Sequence, residues 1–261
     1  MPRIKMSEFL FLKEQERIRK QRNESFRHLI SGHSFPDEKS SNILEAAKAV
    51  KIVKEIKEKN FDIFDIVVDA NGVIAVNEND THGKNRAWEK FWGGRCDGLP
   101  EPDALWGEIK LAQIVSCHTL EQVITIGAIS KKNKETGERE VEQKFEDSSI
   151  YKKLKQCFIT TYFQEGKQKG HKISESFVFQ VENERWFSKI KQDWEHYRDE
   201  YRSYYSKYKS GLLKKRASGI MKSDTNGKRC PNSTLGIRSD SIIFTKSFFK
   251  EVSEYYAKQS V

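Results

Sequence analysis

Leu99-Pro100-Glu101-Pro102-Asp103-Ala104-Leu105-Trp106-Gly107-Glu108-Ile109-Lys110-Leu111-Ala112 is the stretch on which the reading of this chain turns. A Pro-Asp turn delivers one carboxylate, a bend at Gly107 follows, and Glu108 and Lys110 stand two apart at the start of an apolar run. Side chains two apart on a strand point to one face. Glu108 and Lys110 are therefore expected to project together towards Asp103, with Ile109 and Leu111 turned into a core. Two carboxylates beside an ammonium suit phosphodiester hydrolysis: the acids hold a divalent cation, and the ammonium orients a water or offsets charge on the phosphate. Mg2+ matches such hard oxygen ligands and keeps several waters for a substrate to displace.

The spacing recurs at Glu55/Lys57, Glu142/Lys144 and Glu165/Lys167, which read as solvated charge pairs. Glu108 differs in its context, a Pro-Asp turn upstream and a strand-like run, Ile109 to Val115, downstream. On these residues alone, an ordinary strand with one solvated Glu/Lys face stays open as a reading.

Composition narrows the field. A chain of 261 residues can bury a sizeable core. Its net charge of +9 points to a polyanionic partner, because a cationic surface steers and holds phosphate backbones. Cys96, Cys117, Cys157 and Cys230 are scattered without a Cys-x-x-Cys pair, which argues against zinc and for a reduced, cytoplasmic setting. No signal peptide and no bilayer-length apolar run is found, so no membrane partner is expected.

The remaining chain reads in order as follows. Phe9 to Arg27 is a charged helix, either a DNA-facing arm or a solvated helix packed by a thin stripe, broken by Ser31 to Pro36. Ser41-Asn42 precedes a second helix with Ala46, Ala47, Val50, Val53 and Ile56 as its stripe. Val67 to Val76 reads as a hairpin around Asn71-Gly72, although Phe61, Phe64 and Val68 also suit a helix face. Lys84 to Trp92 is a helix closed by Gly93-Gly94, with Glu89 inside it.

Lys84, Glu89, Phe91-Trp92-Gly93, Pro100-Glu101, Asp103 and Glu108-Ile109-Lys110, in that order, resemble the MutH-like branch of the PD-(D/E)xK nucleases. That branch spans mismatch-repair nicking enzymes and type II restriction endonucleases. The resemblance continues through Phe145 to Lys155, a short helix leading into a strand at Cys157-Phe158-Ile159, and through Lys191-Gln192-Asp193-Trp194-Glu195, within a helix from Trp186 to Tyr208. It covers roughly residues 84 to 256.

The resemblance implies a catalytic set of Asp103, Glu108, Lys110, Glu89 and Lys153. Asp103, Glu108 and the backbone carbonyl of Ile109 would bind Mg2+; Lys110 would position or activate water; Glu89 would support the metal site. Lys153 would contact phosphate or organise the site, where its own residue context suggests only a solvated lysine. It also implies in-line hydrolysis leaving a 5′-phosphate and a 3′-hydroxyl.

Leu120 to Ile129 is expected as a strand beside the first, Lys131 to Lys144 as a charged hairpin or loop, and Phe177 to Val181 as a further strand. Ile190, Trp194, Tyr197 and Tyr201 fall on one face of the long helix. Leu212 to Arg216 reads as a short strand entering a polar loop, Ala217 to Ser241; Ile242 to Phe249 and a final helix to Tyr256 close the chain. In the resembling enzymes such a strand and loop read bases, which makes Lys214 and Arg216, then Ser223, Asp224, Thr225, Lys228 and Lys246, the DNA-binding candidates; an unliganded surface loop is the alternative. An Arg can grip guanine bidentately in the major groove.

The expected architecture is one α/β nuclease domain over 1–261. It has a restriction-endonuclease-like mixed central sheet flanked by helices, in two lobes around a DNA cleft. Residues 1–83 form a helical N-terminal extension and lobe, 84–160 the catalytic core and 161–261 the DNA-recognition lobe. The expected partner is double-stranded DNA, both strands of which are cut either by two subunits, as a homodimer on a palindromic site, or by two sequential nicks, with functional pairing to a DNA methyltransferase. Type II restriction is preferred; a mismatch-repair nickase and a non-catalytic DNA-binding protein are the alternatives.

Overall fold

The computed structural model describes residues 32–37, 39–63, 81–95, 101–116, 118–164, 171–215, 219–221, 233–238 and 240–259. Helix α1, Ile43–Glu58, starts where Asn42 accepts the Leu44 N–H, and it buries Ala46, Ala49, Ile52, Val53 and Ile56 at helical spacing. Helix α2, Thr81–Phe91, carries Trp88 and Phe91 inward, and Trp92 follows at its end.

The strands after the Pro-Asp turn are β1, Glu108–Ser116; β2, Thr119–Leu120; β3, Thr125–Ala128; β4, Lys131–Lys132; and β5, Arg139–Glu140. Helix α3, Ser149–Lys155, begins at Ser148, whose hydroxyl accepts the Tyr151 N–H. It stops at Gln156, whose extended backbone feeds directly into β6, Cys157–Gln164. Then come β7, His171–Phe179; α4, Phe187–Lys209; β8, Leu235–Arg238; β9, Ser241–Phe244; and α5, Lys246–Gln259.

The main sheet is mixed, in the order β2-β1-β6-β7. Strands β1 and β6 are parallel, with Glu108 opposite Cys157 and Lys110 opposite Ile159, while β2 and β7 run antiparallel to their neighbours. Parallel strands are usually covered on both faces, and β6 is buried from Cys157 through Tyr162. On one face Ile109, Leu111, Phe158 and Tyr162 pack under α1 and α2. On the other, Ala112, Ile114, Cys157 and Ile159 meet residues of α3, α4, α5 and a second, antiparallel sheet, β3-β9-β8.

Several expectations match what is observed. Asn42 caps α1, and Ile190, Trp194, Tyr197 and Tyr201 are the buried residues of α4. The 131–144 segment contains a hairpin, β4 against β5. Arg202 fastens it to α4 through the Val141 and Glu142 carbonyls, and the Arg139 N–H donates to the Tyr205 hydroxyl.

Three readings are corrected. Leu120 to Ile129 is not one strand: β2 pairs with β1, and the chain then crosses to the second sheet as β3 against β9. Residues 211–215 form no strand, and Leu212 is 81% exposed, so it has no sheet to pack on. The stretch read as a loop to Ser241 contains β8, whose Leu235 and Ile237 are buried against the second sheet's partners. The expected helix at Phe9–Arg27 and hairpin at Val67–Val76 lie outside the described residues. Among the described residues no helix is long and apolar enough to cross a membrane.

Candidate active site

Gly107 is the joint on which the site is built. Ala104 and Gly107 bond to each other in both directions, closing a two-residue turn, and Glu108 N–H then reaches the Gln156 carbonyl at 2.9 Å to start the parallel pairing. Gly107 has φ +150°, and a Cβ there would lie 2.5 Å from the Gln156 oxygen. Only glycine fits this conformation and this approach.

The turn folds Asp103 back over the first residues of β1. Asp103 Oδ2 accepts the Ile109 N–H at 3.0 Å, and the Asp103 N–H donates to Glu108 Oε2 at 3.2 Å. Lys110 Nζ lies 2.5 Å from Glu108 Oε1 and 3.7 Å from Asp103 Oδ2. Lys153, from α3, donates to the same Glu108 Oε1 at 2.9 Å. Its stem passes Gly127 of β3, where a Cβ would come within 3.6 Å of the Lys153 chain.

Glu108 is fully buried. Taking a carboxylate out of water costs several kcal/mol unless charges and donors replace the lost hydration. Two ammonium groups and one backbone N–H do so here. Burial works against the charged form of Lys110, but the Glu108 and Asp103 carboxylates outweigh it and hold the ammonium well above its ordinary 10.5. Lys110 is thus a proton donor in this arrangement, able to hold a water or a phosphate oxygen. Burial, with Glu108 beside it, pushes the Cys157 thiol far above its usual range.

The donor set is compatible with Mg2+ in type. Among the described residues Asp103 Oδ1 accepts no hydrogen bond. Because Glu108 N–H faces β6, the backbone groups of Ile109 face the opposite edge of β1, the side on which Asp103 takes the Ile109 N–H. No group of three or more His, Cys, Asp or Glu among the described residues is arranged as a metal site. Two carboxylates suffice for Mg2+, whose remaining positions go to waters and phosphate oxygens. A cation entering between the acids competes with Lys110, which now bridges them.

The other candidates are placed as follows. Glu89 is half-buried on α2, its carbonyl accepting the Gly94 N–H at 2.7 Å. Lys214 is exposed beyond α4. Lys246 opens α5 and donates to the Glu121 carbonyl at 2.7 Å, stapling α5 to the turn after β2. Arg216, Ser223, Asp224, Thr225 and Lys228 lie outside the described residues.

Asp193, within the quoted Asp-Trp-Glu motif, accepts the Thr234 N–H, the Thr234 hydroxyl and the Leu235 N–H, fixing the start of β8. A second cluster, His118, Glu175 and Ser253, has the composition of a nucleophilic triad but not its wiring. Ser253 is buried and its proton goes to Glu175 at 3.1 Å, which leaves His118 Nδ1, 2.7 Å away, as a donor to the serine rather than its base. It braces β7 against α5 and the β1–β2 turn.

No protein-family model matches the chain, and no curated protein matches it in sequence.

Proposed function

We propose that this protein is a Mg2+-dependent endonuclease that hydrolyses double-stranded DNA, of the type II restriction class, with a restriction-endonuclease-like fold and a DNA cleft over the N-terminal end of β1. The observation that carries this reading is the convergence of Asp103, Glu108, Lys110 and Lys153 on one face. A strand that opens with one acid, a turn that folds the other over it, a buried lysine returning on α3 and a parallel strand beside the first support the same assignment.

Asp103, Glu108 and the Ile109 carbonyl would hold the cation, which when bound supplies charge stabilisation at the phosphate and an acidified water. Lys110 orients the attacking water and offsets charge on the non-bridging oxygens. Lys153 holds Glu108 in place while Lys110 turns to substrate. The water oxygen forms a new bond to phosphorus as the bond to the 3′-oxygen breaks; the water proton passes to solvent and the leaving oxygen takes one up. The products are a 5′-phosphate and a 3′-hydroxyl. The basic composition supplies the attraction to the backbone. Base reading is assigned to Lys214, Arg216, Ser223, Asp224, Thr225, Lys228 and Lys246. One acid pair cuts one strand, so cutting both takes a homodimer on a palindromic site or two sequential nicks, and a partner methyltransferase protects the host sequence.

The test is incubation of unmethylated phage DNA with purified protein and Mg2+, beside Asp103→Ala and Lys110→Ala. Discrete fragments from wild type and none from the variants are expected. Nicked circles alone would move the assignment to a nicking enzyme, and intact DNA under every metal and methylation state would leave a DNA-binding protein.

A further inference from the structure

A cavity of about 260 Å3 lies where α1, β7 and α5 meet, and it shares no lining residue with the acid cluster. Helix α1 presents Val50, Val53, Lys54 and Lys57 to it, which at spacings of three and four form one stripe of the helix. Val53 is buried, whereas Lys54 and Lys57 are exposed, so the stripe runs from an apolar wall to a cationic rim. Opposite it, Phe177 of β7 and Tyr256 of α5 stack at 4.9 Å with 8° between their planes, a flat aromatic wall. Ile173 belongs to the core under α1 and α2, and Phe177 to the core on the other face of the sheet. The cavity therefore wraps the outer edge of β7, the last strand of the main sheet.

The charges around it are unbalanced. Lys48 pairs with Glu45 and His33 with Glu55, but among the described residues neither Lys54 nor Lys57 has a hydrogen bond or an ion pair. Glu175 is the one carboxylate lining the cavity, and it is engaged: it accepts the Ser253 hydroxyl at 3.1 Å and lies 3.5 Å from His118 Nδ1. Two ammoniums thus stand at the rim of an apolar hollow without an anion to meet them. Sites for small molecules combine apolar walls with a few polar groups that fix orientation. A nucleic-acid backbone would meet the ammoniums and leave the hollow unfilled.

We propose that this cavity binds an amphipathic organic anion, an aliphatic or aromatic carboxylate whose apolar body lies against Val53, Ile173 and the Phe177–Tyr256 wall and whose charge meets Lys54 and Lys57. The site stands apart from the acid cluster and does not depend on the nuclease reading.

The experiment titrates the full chain with anilinonaphthalene sulfonate, a fluorescent apolar anion, and with phenylnaphthylamine, the same body without the sulfonate. Native wild type is expected to bind one equivalent of the anion, about tenfold tighter than the neutral probe. Octanoate should displace it more strongly than octanol does. Lys54→Gln combined with Lys57→Gln should erase the preference for the anion and leave binding of the neutral probe unchanged. Ala257→Phe, which fills the cavity from α5, should abolish binding of both. The two lysines are exposed, so their variant remains a test even if Ala257→Phe does not fold, as near-ultraviolet circular dichroism would show. Equal affinity of wild type for the two probes, or a preference that survives loss of both lysines, overturns the proposal. So does undiminished binding by folded Ala257→Phe, or no binding by wild type. Displacement of the anion by duplex DNA and not by octanoate would assign this face to nucleic acid and overturn the ligand class.

Discussion

Lys153 donates to Glu108 Oε1 at 2.9 Å across 45 positions of sequence, and both side chains are buried. Lys110 takes the same oxygen from two residues away, so one carboxylate organises two ammoniums. The consequence for stability differs from that of an exposed pair, because each removed partner leaves its neighbours charged and dry. Lys153→Met leaves Glu108 with one ammonium and should cost about 1–3 kcal/mol in urea unfolding. Glu108→Ala strands two ammoniums and should cost about 3–5 kcal/mol. Glu108→Gln and Lys153→Met combined should fall short of their sum by about 0.5–3 kcal/mol, and strict additivity would contradict the shared-oxygen arrangement.

Gly107→Ala tests the joint itself. The new Cβ meets a backbone oxygen, which has no flexible end to move, and the φ of +150° disfavours any L side chain. Strain of this kind costs about 1–3 kcal/mol or more. The expected result is a lowered thermal midpoint together with loss of cleavage, since Asp103 and Glu108 flank the turn. A midpoint equal to wild type would show that the turn relaxes freely.

How much of this was legible in the sequence depended on range. The stripes of α1 and α4 repeat every three or four residues, so their buried faces could be read directly; Glu108 and Lys110 lie close enough for strand geometry alone to pair them, and the Pro-Asp turn ending at Gly107 adds Asp103. Lys153 could not be placed from its own helix: its partner is fixed by the parallel register of β1 and β6, which no local pattern encodes. Strand β8 was hidden because only Leu235 and Ile237 carry its apolar signal, and its pairing partner β9 follows directly on Asp240, which takes φ +66°.

Asp193 gives a prediction away from the acids. Its Oδ2 accepts three hydrogen bonds from Thr234 and Leu235, and the Thr234 carbonyl in turn accepts the Thr245 N–H at 3.0 Å. Hydrogen bonds to a charged group contribute about 1.5–3 kcal/mol. Asp193→Ala should therefore lower stability by about 2 kcal/mol and raise amide exchange first at Thr234 and Leu235. Uniform loss of protection across both sheets would contradict a local clamp.

Cys157 is buried beside Glu108, and burial pushes its thiol up, so the native protein holds it as an unreactive neutral thiol. Peptide mapping after treatment with a thiol reagent at mildly alkaline pH should find Cys157 unlabelled in the native state and labelled in urea. Rapid native labelling at Cys157 would mean that the β1–β6 pairing opens at its N-terminal end.

The ion pairs of Lys110 predict how stability responds to alkali. Unfolded, this lysine titrates at its ordinary 10.5; folded, the Glu108 and Asp103 carboxylates overcome burial and raise it. Below 10.5 both states are protonated and the full contribution of the pairs is present. As pH rises past 10.5 the unfolded lysine loses its proton first, so the unfolded state gains and the contribution declines until the folded lysine also titrates. The difference in urea midpoint between wild type and Lys110→Met should therefore be constant from neutral pH to about 10 and change in the direction of relative wild-type destabilisation above it. The tyrosines are common to both proteins and cancel in the comparison, and Cys157, whose thiol feels Lys110, is replaced by alanine in both. A difference that stays flat through the alkaline range would mean that Lys110 is not held by the two carboxylates in the folded protein.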